Sequence, residues 1–243
     1  MERYRRNIEL LGNDAQEKIL KAKVLIAGAG GLGSTVIANL ASLGVGNIGI
    51  IDCDTVEISN LNRQYIHSAR KVGQKKTESA KEWINLYNHF INVKCFDIKL
   101  DCTNYEAVVN DYDIIADCFD SYKSKFLLNE IALKTNKPLV HAGVSGFSGQ
   151  VFTIIPHKTA CLRCLLPDAD EDENITEGVI SPVVSTIASI QAGELLKIII
   201  NTGELLTNQL LTFDALKTEF KKIKFEKNIN CPVCKEGEIY ENL

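Results

Sequence analysis

The sequence has no long basic tract and no long uninterrupted apolar run. Its 31 acidic and 27 basic residues give a net charge of −4, whereas a protein that binds nucleic acid mainly through phosphates needs clustered Lys and Arg. The N-terminal residues Met1–Arg6 lead into no apolar core of a signal peptide. The most apolar stretch, 182–200, is interrupted by polar side chains such as Gln191 and Lys197, which favours a buried helix over a membrane span. We therefore expect a cytoplasmic protein whose partners include neither nucleic acid nor a membrane.

Aromatic residues (7%) and proline (five) are also scarce, but the apolar content is ample. Of the 243 residues, 45% are hydrophobic and 24% are charged, as in an ordinary globular domain. From residue 23 to about residue 140, apolar runs alternate with helical stretches. The runs cover 24–27, 48–51, 93–98, 113–116 and 138–140, and the helical stretches cover 32–43, 75–89, 104–110 and 122–135. This alternation predicts a Rossmann-like, doubly wound, mostly parallel α/β sheet.

Beyond residue 140 the pattern changes. The glycine-rich composition of 143–149 predicts a connecting segment, and the acidic run 168–173 predicts a solvated loop. The further elements expected are a strand at 150–155, a helix at about 182–200, and strands near 208–213 and 217–225 that extend the sheet antiparallel. We expect one domain, 1–243, made of a helical arm (1–22), a nucleotide-binding half (23–143) and a second half (144–243).

The eight cysteines include two C-x-x-C pairs. Intracellular cysteines are expected to be thiols or metal ligands rather than disulfides. Four thiolates in two paired knuckles are typical of a structural zinc site with no open coordination position. The pairs are Cys161 with Cys164 and Cys231 with Cys234. Four unrelated free thiols are the alternative. The remaining cysteines are Cys53, Cys95, Cys102 and Cys118, and most of them are expected to be small buried hydrophobes.

A glycine loop follows the first predicted strand. Gly28, Gly30, Gly31 and Gly33 form a G-x-G-x-x-G turn between that strand and a helix, and Asp52 ends the next strand. Gly30 and Gly31 would let the backbone approach a phosphate, and a carboxylate about twenty residues on can accept from ribose hydroxyls. The pattern predicts a bound nucleotide, and a tight turn with nothing bound is the alternative.

A polar cluster follows Asp52. Its members are Asn60, Arg63, Gln64 and Lys76. Arg63 and Lys76 could clamp a triphosphate and stabilise the charge that develops as pyrophosphate leaves. By composition alone they could equally be surface cations. Because Lys75 is adjacent to Lys76, the sequence also leaves open which of the two lysines points inward.

A later predicted strand ends in two carboxylates, Asp117 and Asp120. Ligands bind at this edge of α/β sheets, and a carboxylate beside a triphosphate is suited to hold Mg²⁺. The alternative for Asp120 is the N-cap of the following helix.

Together these motifs resemble the small bacterial ThiF/MoeB/HesA adenylyltransferases of the ubiquitin-activating-enzyme superfamily, over essentially the whole chain. The matching segments are Arg3-Tyr4-x-Arg6, Gly28–Gly33, Asp52-x-Asp54-Thr55-Val56, Ser59-Asn60-Leu61-x-Arg63-Gln64, Val72-Gly73-Gln74-x-Lys76, Asp117-Cys118-x-Asp120, Gly149-Gln150-Val151, Cys161-x-Arg163-Cys164-Leu165 and Gln191-Ala192-x-Glu194. The number of ordered matches favours the functional interpretation of Arg63, Lys76 and Asp120 over the surface and capping alternatives.

The resemblance implies an enzyme that uses Mg²⁺-bound ATP. Its substrate would be the C-terminal Gly-Gly carboxylate of a small ubiquitin-like sulfur-carrier protein in thiamine or molybdopterin synthesis, activated as an acyl-adenylate. The second half, 144–243, would then bind the carrier and the zinc. The implied roles are ribose binding by Asp52, phosphate binding by Gly30 and Gly31, charge stabilisation by Arg63 and Lys76 assisted by Asn60, Mg²⁺ binding by Asp120, and an Arg6 that reaches into the neighbouring site of a homodimer.

Two positions depart from the family's pattern. Ser121 stands where relatives often have Asn, and Asn174 stands where many relatives have a cysteine. We therefore expect MoeB- or HesA-like behaviour without a covalent thiol step, in which a separate sulfur donor acts on the adenylate.

Three other functions remain open from the residues. An NAD-dependent oxidoreductase would share the loop and Asp52, but would leave Arg63, Lys76 and the cysteine pairs without a purpose. The others are adenylation of another peptide C-terminus and a binding-only scaffold. The histidines, expected to be structural or exposed, are His67, His89, His141 and His157.

Overall fold

A computed structural model describes residues 2–171 and 178–235, so Asn174 lies outside the described residues. An eight-stranded mixed sheet forms the centre of the protein, with the strand order β3-β2-β1-β4-β5-β6-β7-β8. The strands are β1 (Lys23–Ala27), β2 (Asn47–Ile51), β3 (Asn92–Phe96), β4 (Ile114–Asp117), β5 (Leu139–Ser145), β6 (Ser148–Ile154), β7 (Gln209–Asp214) and β8 (Glu219–Lys224). The helices are α1 (Arg5–Leu11), α2 (Asn13–Lys21), α3 (Gly31–Leu43), α4 (Lys76–Tyr87), α5 (Tyr105–Val109), α6 (Tyr122–Lys134), α7 (Leu162–Leu165) and α8 (Ser181–Ile200).

The sheet has a parallel part and an antiparallel part, as the sequence predicts. β1 pairs in parallel with both β2 and β4, so that Ala27 lies beside Ile51 on one side and Asp117 on the other. β3 and β5 complete the parallel part. β6, β7 and β8 continue the sheet as antiparallel neighbours. The strand order reverses direction between β1 and β4, and in doubly wound sheets the crevice at such a point binds ligands.

Helices cover both faces of the sheet. One core lies among β1, α3, α4 and α8, and the other lies among β4, β5, α5 and α6 and reaches the cysteine pairs. α8 is long and apolar enough to cross a membrane by length and composition, but half of it is buried within the protein. Its buried residues include Val184, Ile187 and Leu195, which belong to the first core. α8 is therefore a core helix, in agreement with the sequence interpretation.

The segment 143–149 differs from its interpretation as a link. β5 runs on to Ser145 and β6 begins at Ser148, so that most of the segment is a β-hairpin. Gly146 occupies the turn with φ of +54°, a conformation that glycine adopts without strain. The sequence does not predict these strand ends, because their glycines and serines break the apolar alternation that marks a strand. Pairing between the two strands stabilises them despite the low strand propensity of these residues.

Candidate active site and cysteine cluster

A cleft of about 740 Å³ runs along the carboxyl ends of the parallel strands and continues onto the antiparallel ones. It lies at the β1–β4 crevice where the strand order reverses. At one end it is lined by the glycine loop and the residues after β2, and at the other by residues of β7 and β8 such as Phe213 and Lys221. Eight of the residues predicted for the site line it: Gly28, Gly30, Gly31, Asp52, Arg63, Gln64, Lys76 and Asp120.

Close backbone packing shapes the glycine loop. Gly28 has φ of +105°, and a Cβ there would lie 2.6 Å from the carbonyl oxygen of Cys118. A Cβ on Gly33 would lie 2.0 Å from the carbonyl oxygen of Gly28. Gly33 does not line the cleft, so its lack of a side chain serves the fit of α3 against the loop. α3 begins at Gly31, and its first amide groups carry the partial positive charge that favours an anion.

Asp52 is tied to the glycine loop. Its Oδ2 accepts a hydrogen bond of 2.8 Å from the amide of Ala29, and its Oδ1 accepts one of 2.8 Å from the amide of Asp54. Each carboxylate oxygen has further lone pairs. The side chain lines the cleft, and the two bonds fix its position there.

The structure distinguishes the two adjacent lysines. The side chain of Lys76 is only 8% exposed and its Nζ lies 2.7 Å from Oδ2 of Asp54 in the cleft. The side chain of Lys75 is 44% exposed and pairs with Asp97 on the outside. Lys76 is the first residue of α4, so its side chain enters the cleft where that helix starts.

The other members of the polar cluster are spread over two neighbouring pockets. Arg63 lines the main cleft, and its Nη1 donates to Oδ1 of Asn62 at 2.8 Å. Gln64 is buried beside Gly30. Asn60 does not line the main cleft; it lines an adjoining pocket of about 360 Å³ that also contains Lys76. Lys76 therefore borders both pockets.

The two carboxylates after β4 have different environments. Asp120 is exposed in the cleft and accepts no hydrogen bond from any described residue. Asp117 is fully buried, and Lys125 Nζ lies 3.3 Å from both of its oxygens. Ser121, whose Oγ accepts from the amide of Ser124, is the N-cap of α6, so the alternative of Asp120 as N-cap is wrong. The cap leaves the Asp120 carboxylate available to a cation.

Two histidines next to the cleft have structural partners that the sequence could not assign. The ring of His67 bridges the carbonyl of Ala29 at 3.0 Å and Oγ of Ser79 at 2.9 Å. Burial lowers the pKa of His67, so the neutral ring holds the glycine loop against α4. His141 pairs with Asp117 at 2.7 Å. A lone histidine has no spacing signal, and these partners come together only in the folded chain.

Arg6 lies away from the cleft of its own chain. Its side chain is 87% exposed and pairs with Glu9 on the next turn of α1. It therefore contributes nothing to this cleft within one subunit.

The four cysteines of the two pairs form one cluster. Their sulfur atoms all lie within 4.8 Å of one another, with 3.9 Å between Cys161 and Cys164, 3.8 Å between Cys161 and Cys231, and 3.3 Å between Cys164 and Cys234. Four sulfurs placed tetrahedrally about zinc at ~2.3 Å are about 3.8 Å apart. The donor set and its spacing fit a zinc ion that joins the C-terminal segment to α7.

The fold and this cleft define a doubly wound α/β protein with a glycine loop of the nucleotide-binding type and a cleft at the reversal of its strand order. The sequence matches the ThiF family over residues 4–233, and the chain belongs to that family. It is 36% identical over 245 residues to the SAMP-activating enzyme E1 of Haloferax volcanii, covering 98% of this chain and 90% of that protein. It is 32% identical to the sulfur carrier protein adenylyltransferase of Thermus thermophilus, covering 96% of this chain and 90% of that protein. The structure of E. coli MccB with ATP superposes with a TM-score of 0.83 at 26% identity, covering 96% of this chain and 74% of that one.

Proposed function

We propose that this protein is an ATP-dependent adenylyltransferase that activates the C-terminal Gly-Gly carboxylate of a small ubiquitin-like sulfur carrier, for thiamine or molybdopterin synthesis. The observation that carries the proposal is one continuous cleft. The nucleotide-type loop, Asp52, Lys76 and Asp120 line one part of it, and the antiparallel strands line the rest. That second part offers room for an extended peptide tail beside the phosphates. The names of the two sequence relatives support the same activity.

In the reaction, a carboxylate oxygen of the tail bonds to the α-phosphorus of ATP, and the bond from that phosphorus to the β-phosphate oxygen breaks. Pyrophosphate leaves and the carrier becomes an acyl-adenylate. Asp52 holds the ribose, and the amides at Gly30 and Gly31 approach the phosphates. Lys76 and Arg63 stabilise the negative charge of the transferring and leaving phosphates, with Asn60 and Gln64 beside them.

Asp120 is suited to hold Mg²⁺, because its carboxylate is exposed in the cleft and accepts no hydrogen bond from the described residues. When bound, the ion would neutralise phosphate charge. The cysteine cluster is proposed to hold zinc in a structural role, since four thiolates leave no open position for a reactant.

The product is proposed to be the acyl-adenylate itself, which a separate sulfur donor then attacks. Asn174 stands where many relatives have a cysteine and lies outside the described residues. Two cysteines line the cleft, Cys53 and Cys118. Burial raises the pKa of both thiols, and nearby carboxylates raise it further. Since the thiolate is the nucleophile, neither is prepared to capture an acyl group at neutral pH.

The proposal also includes a single domain over 1–243, a cytoplasmic location and a homodimer in which Arg6 enters the neighbouring cleft. The exposure of Arg6 supports this arrangement, because a side chain held only by a surface ion pair with Glu9 can exchange that partner for a group in a second subunit.

The test is ATP–pyrophosphate exchange with purified carriers ending in Gly-Gly from the thiamine and molybdopterin pathways. We expect exchange with one carrier, and none when its last glycine is removed. If no carrier supports exchange while Mg²⁺-dependent ATP binding is intact, a sulfur carrier is excluded as the substrate. Another peptide C-terminus would then be the substrate to test. Binding of NAD in preference to ATP would reject the adenylyltransferase itself.

A further inference from the structure

A buried histidine in the middle of the sheet forms hydrogen bonds with the described residues through only one of its two ring nitrogens. His141 of β5 is 1% exposed, and its Nδ1 lies 2.7 Å from Oδ2 of Asp117. Its Nε2 is buried and forms no hydrogen bond with any described residue. A buried polar atom without a partner costs about 1–3 kcal/mol. Where such an atom lies at the wall of a ligand cleft, a group of the ligand can form the missing hydrogen bond.

The surroundings of the ring determine which nitrogen carries the proton. Burial alone would raise the pKa of Asp117, but the Lys125 ammonium and the bond from His141 outweigh it, so the pKa of Asp117 is lowered. An ionised carboxylate only accepts hydrogen bonds, so Nδ1 of His141 donates to it. Burial lowers the pKa of His141, and the charge of Lys125 acts in the same direction. The ring is therefore neutral, and Nε2 presents a lone pair.

Gly143 leaves a gap in the layer of side chains beside this lone pair. His141 and Gly143 both line the cleft, and they lie on the same face of β5 because successive side chains alternate. The position that a Cβ on Gly143 would occupy is 3.8 Å from Nε2 of His141 and 3.4 Å from the side chain of Gln150. Gly143 pairs with Gln150 of β6. Nε2 thus lies behind this gap, next to Gly143 and Gln150, where the parallel strands meet the antiparallel ones. Because the atom is buried, a ligand group must displace the neighbouring side chains to reach it.

The ligand group at this position must donate a hydrogen bond. Phosphate and carboxylate oxygens present only lone pairs, so a neutral, unprotonated nitrogen does not attract them. A peptide tail lying over β5 and β6 carries backbone N–H groups. We propose that Nε2 of His141 accepts a hydrogen bond from a backbone N–H of the carrier's Gly-Gly tail, so that His141 positions and selects the tail. This inference rests on the proposed function and adds a specificity residue to it.

Two substitutions of His141 test the roles of its two ring nitrogens separately. In His141→Asn, an amide nitrogen near the place of Nδ1 can still donate to Asp117, but the acceptor at the place of Nε2 is lost. In His141→Gln, an amide oxygen can take the place of Nε2. We expect His141→Asn to raise the KM for the carrier by about three- to tenfold, the range for one lost hydrogen bond, with the KM for ATP unchanged. His141→Gln should recover most of this loss.

A change in the tail provides the matching half of a double-mutant cycle. Carriers made by ligation with an N-methylated residue in the Gly-Gly tail lack one N–H. The wild-type protein should bind one of these carriers about three- to tenfold more weakly. His141→Asn should not distinguish that carrier from the unmodified one. If N-methylation of the tail weakens binding by the same factor in the wild-type protein and in His141→Asn, the proposal is overturned.

A spectroscopic measurement tests the contact without turnover. Protein labelled with ¹⁵N-histidine is titrated with N-acetyl-Gly-Gly in the presence of Mg²⁺ and a non-hydrolysable ATP analogue, and the His141→Asn spectrum assigns the resonance. We expect the Nε2 signal of His141 to shift with the peptide and not with its N-methylated counterpart. A shift caused by the nucleotide alone, peptide binding without a shift, or no peptide binding would each overturn the proposal. A peptide-induced shift with no pyrophosphate exchange for any carrier would instead reject the proposed function and leave this contact standing.

Discussion

At the scale of single residues, Lys75 and Lys76 show how position separates two identical side chains. The Lys75 side chain lies before the first turn of α4 and pairs outside with Asp97. The Lys76 side chain is buried against the cleft, and Asp54, which is itself exposed, is the one carboxylate among the described residues that forms an ion pair with it. A bound triphosphate would bring Lys76 a second anionic partner in a site with less water than the surface, where charge stabilisation is stronger.

Lys76→Ala is therefore expected to reduce the rate of adenylation by about 10²–10³, equivalent to ~3–4 kcal/mol. Lys75→Ala is the matched control and should change the rate by less than about twofold, because it removes a surface ion pair. The measurement is the rate of carrier-dependent pyrophosphate release for both variants under saturating ATP. A larger loss in Lys75→Ala than in Lys76→Ala would show that the cleft has been assigned to the wrong lysine.

At the scale of elements, the glycine loop depends on the contact between β1 and α3. Gly33 belongs to α3, and its absent side chain lets the helix start directly on the carbonyl of Gly28. The backbone oxygen cannot move aside as a flexible side chain would. The helix start and the positions of its first amides thus depend on this one close approach.

Gly33→Ala is expected to lower the free energy of unfolding by at least about 1–3 kcal/mol through overpacking and to weaken ATP binding. The control is Gly193→Ala in α8, where a Cβ would meet nothing within 4 Å. That change should stabilise the protein by up to about 1 kcal/mol, since alanine is the better helix former. Urea unfolding and ATP titration of both variants check the pair, and an undiminished stability of Gly33→Ala would contradict the contact.

The sequence predicted β1, β2 and β4 well, because these strands are buried on both faces and their apolar runs are continuous. The predicted runs for β1 to β4 end within two residues of the observed strands. The β5–β6 hairpin was missed because its strand pairing, and not its local composition, stabilises it. The same limit applies to the site. The glycine loop is a local pattern and was found, whereas the contact between Asp117 and His141 joins neighbouring strands and has no local signal.

At the scale of the whole molecule, the cysteine cluster connects distant parts of the chain. Cys161 and Cys231 are fully buried within the second core, next to α6. The amide of Leu162 donates to Oδ1 of Asn129 in α6. A metal ion at the cluster would therefore fix the C-terminal segment against the helix that follows Asp120.

We expect one zinc ion per chain, and Cys234→Ser should lower Tm by roughly 10 °C or more, because loss of a structural metal removes several kcal/mol of folding free energy. Cys102→Ser is the control, since Cys102 is exposed and outside the cluster. Metal analysis and calorimetry measure both. A zinc-free protein of unchanged Tm would contradict the structural role, and a zinc-bound Cys234→Ser protein would contradict the ligand set.

The placement of Arg6 leads to a prediction about the assembly. If Arg6 acts across a homodimer, each cleft combines Lys76 of one subunit with the Arg6 side chain of the other. Arg6→Ala and Lys76→Ala homodimers should both be nearly inactive. A mixed dimer of the two variants contains one cleft with both residues intact, so mixed dimers purified through two different affinity tags should recover about half of the wild-type rate.

The control is a mixed dimer of Lys76→Ala with the Arg6→Ala, Lys76→Ala double variant, in which no cleft has both residues. It should remain inactive and so exclude recovery by association alone. If the Arg6→Ala homodimer keeps full activity, Arg6 has no role in the chemistry. If the first mixed dimer is formed but gains nothing, Arg6 acts within its own chain. In that case α1 would have to leave the position in which Arg6 pairs with Glu9, because from there it contributes nothing to the cleft of its own subunit.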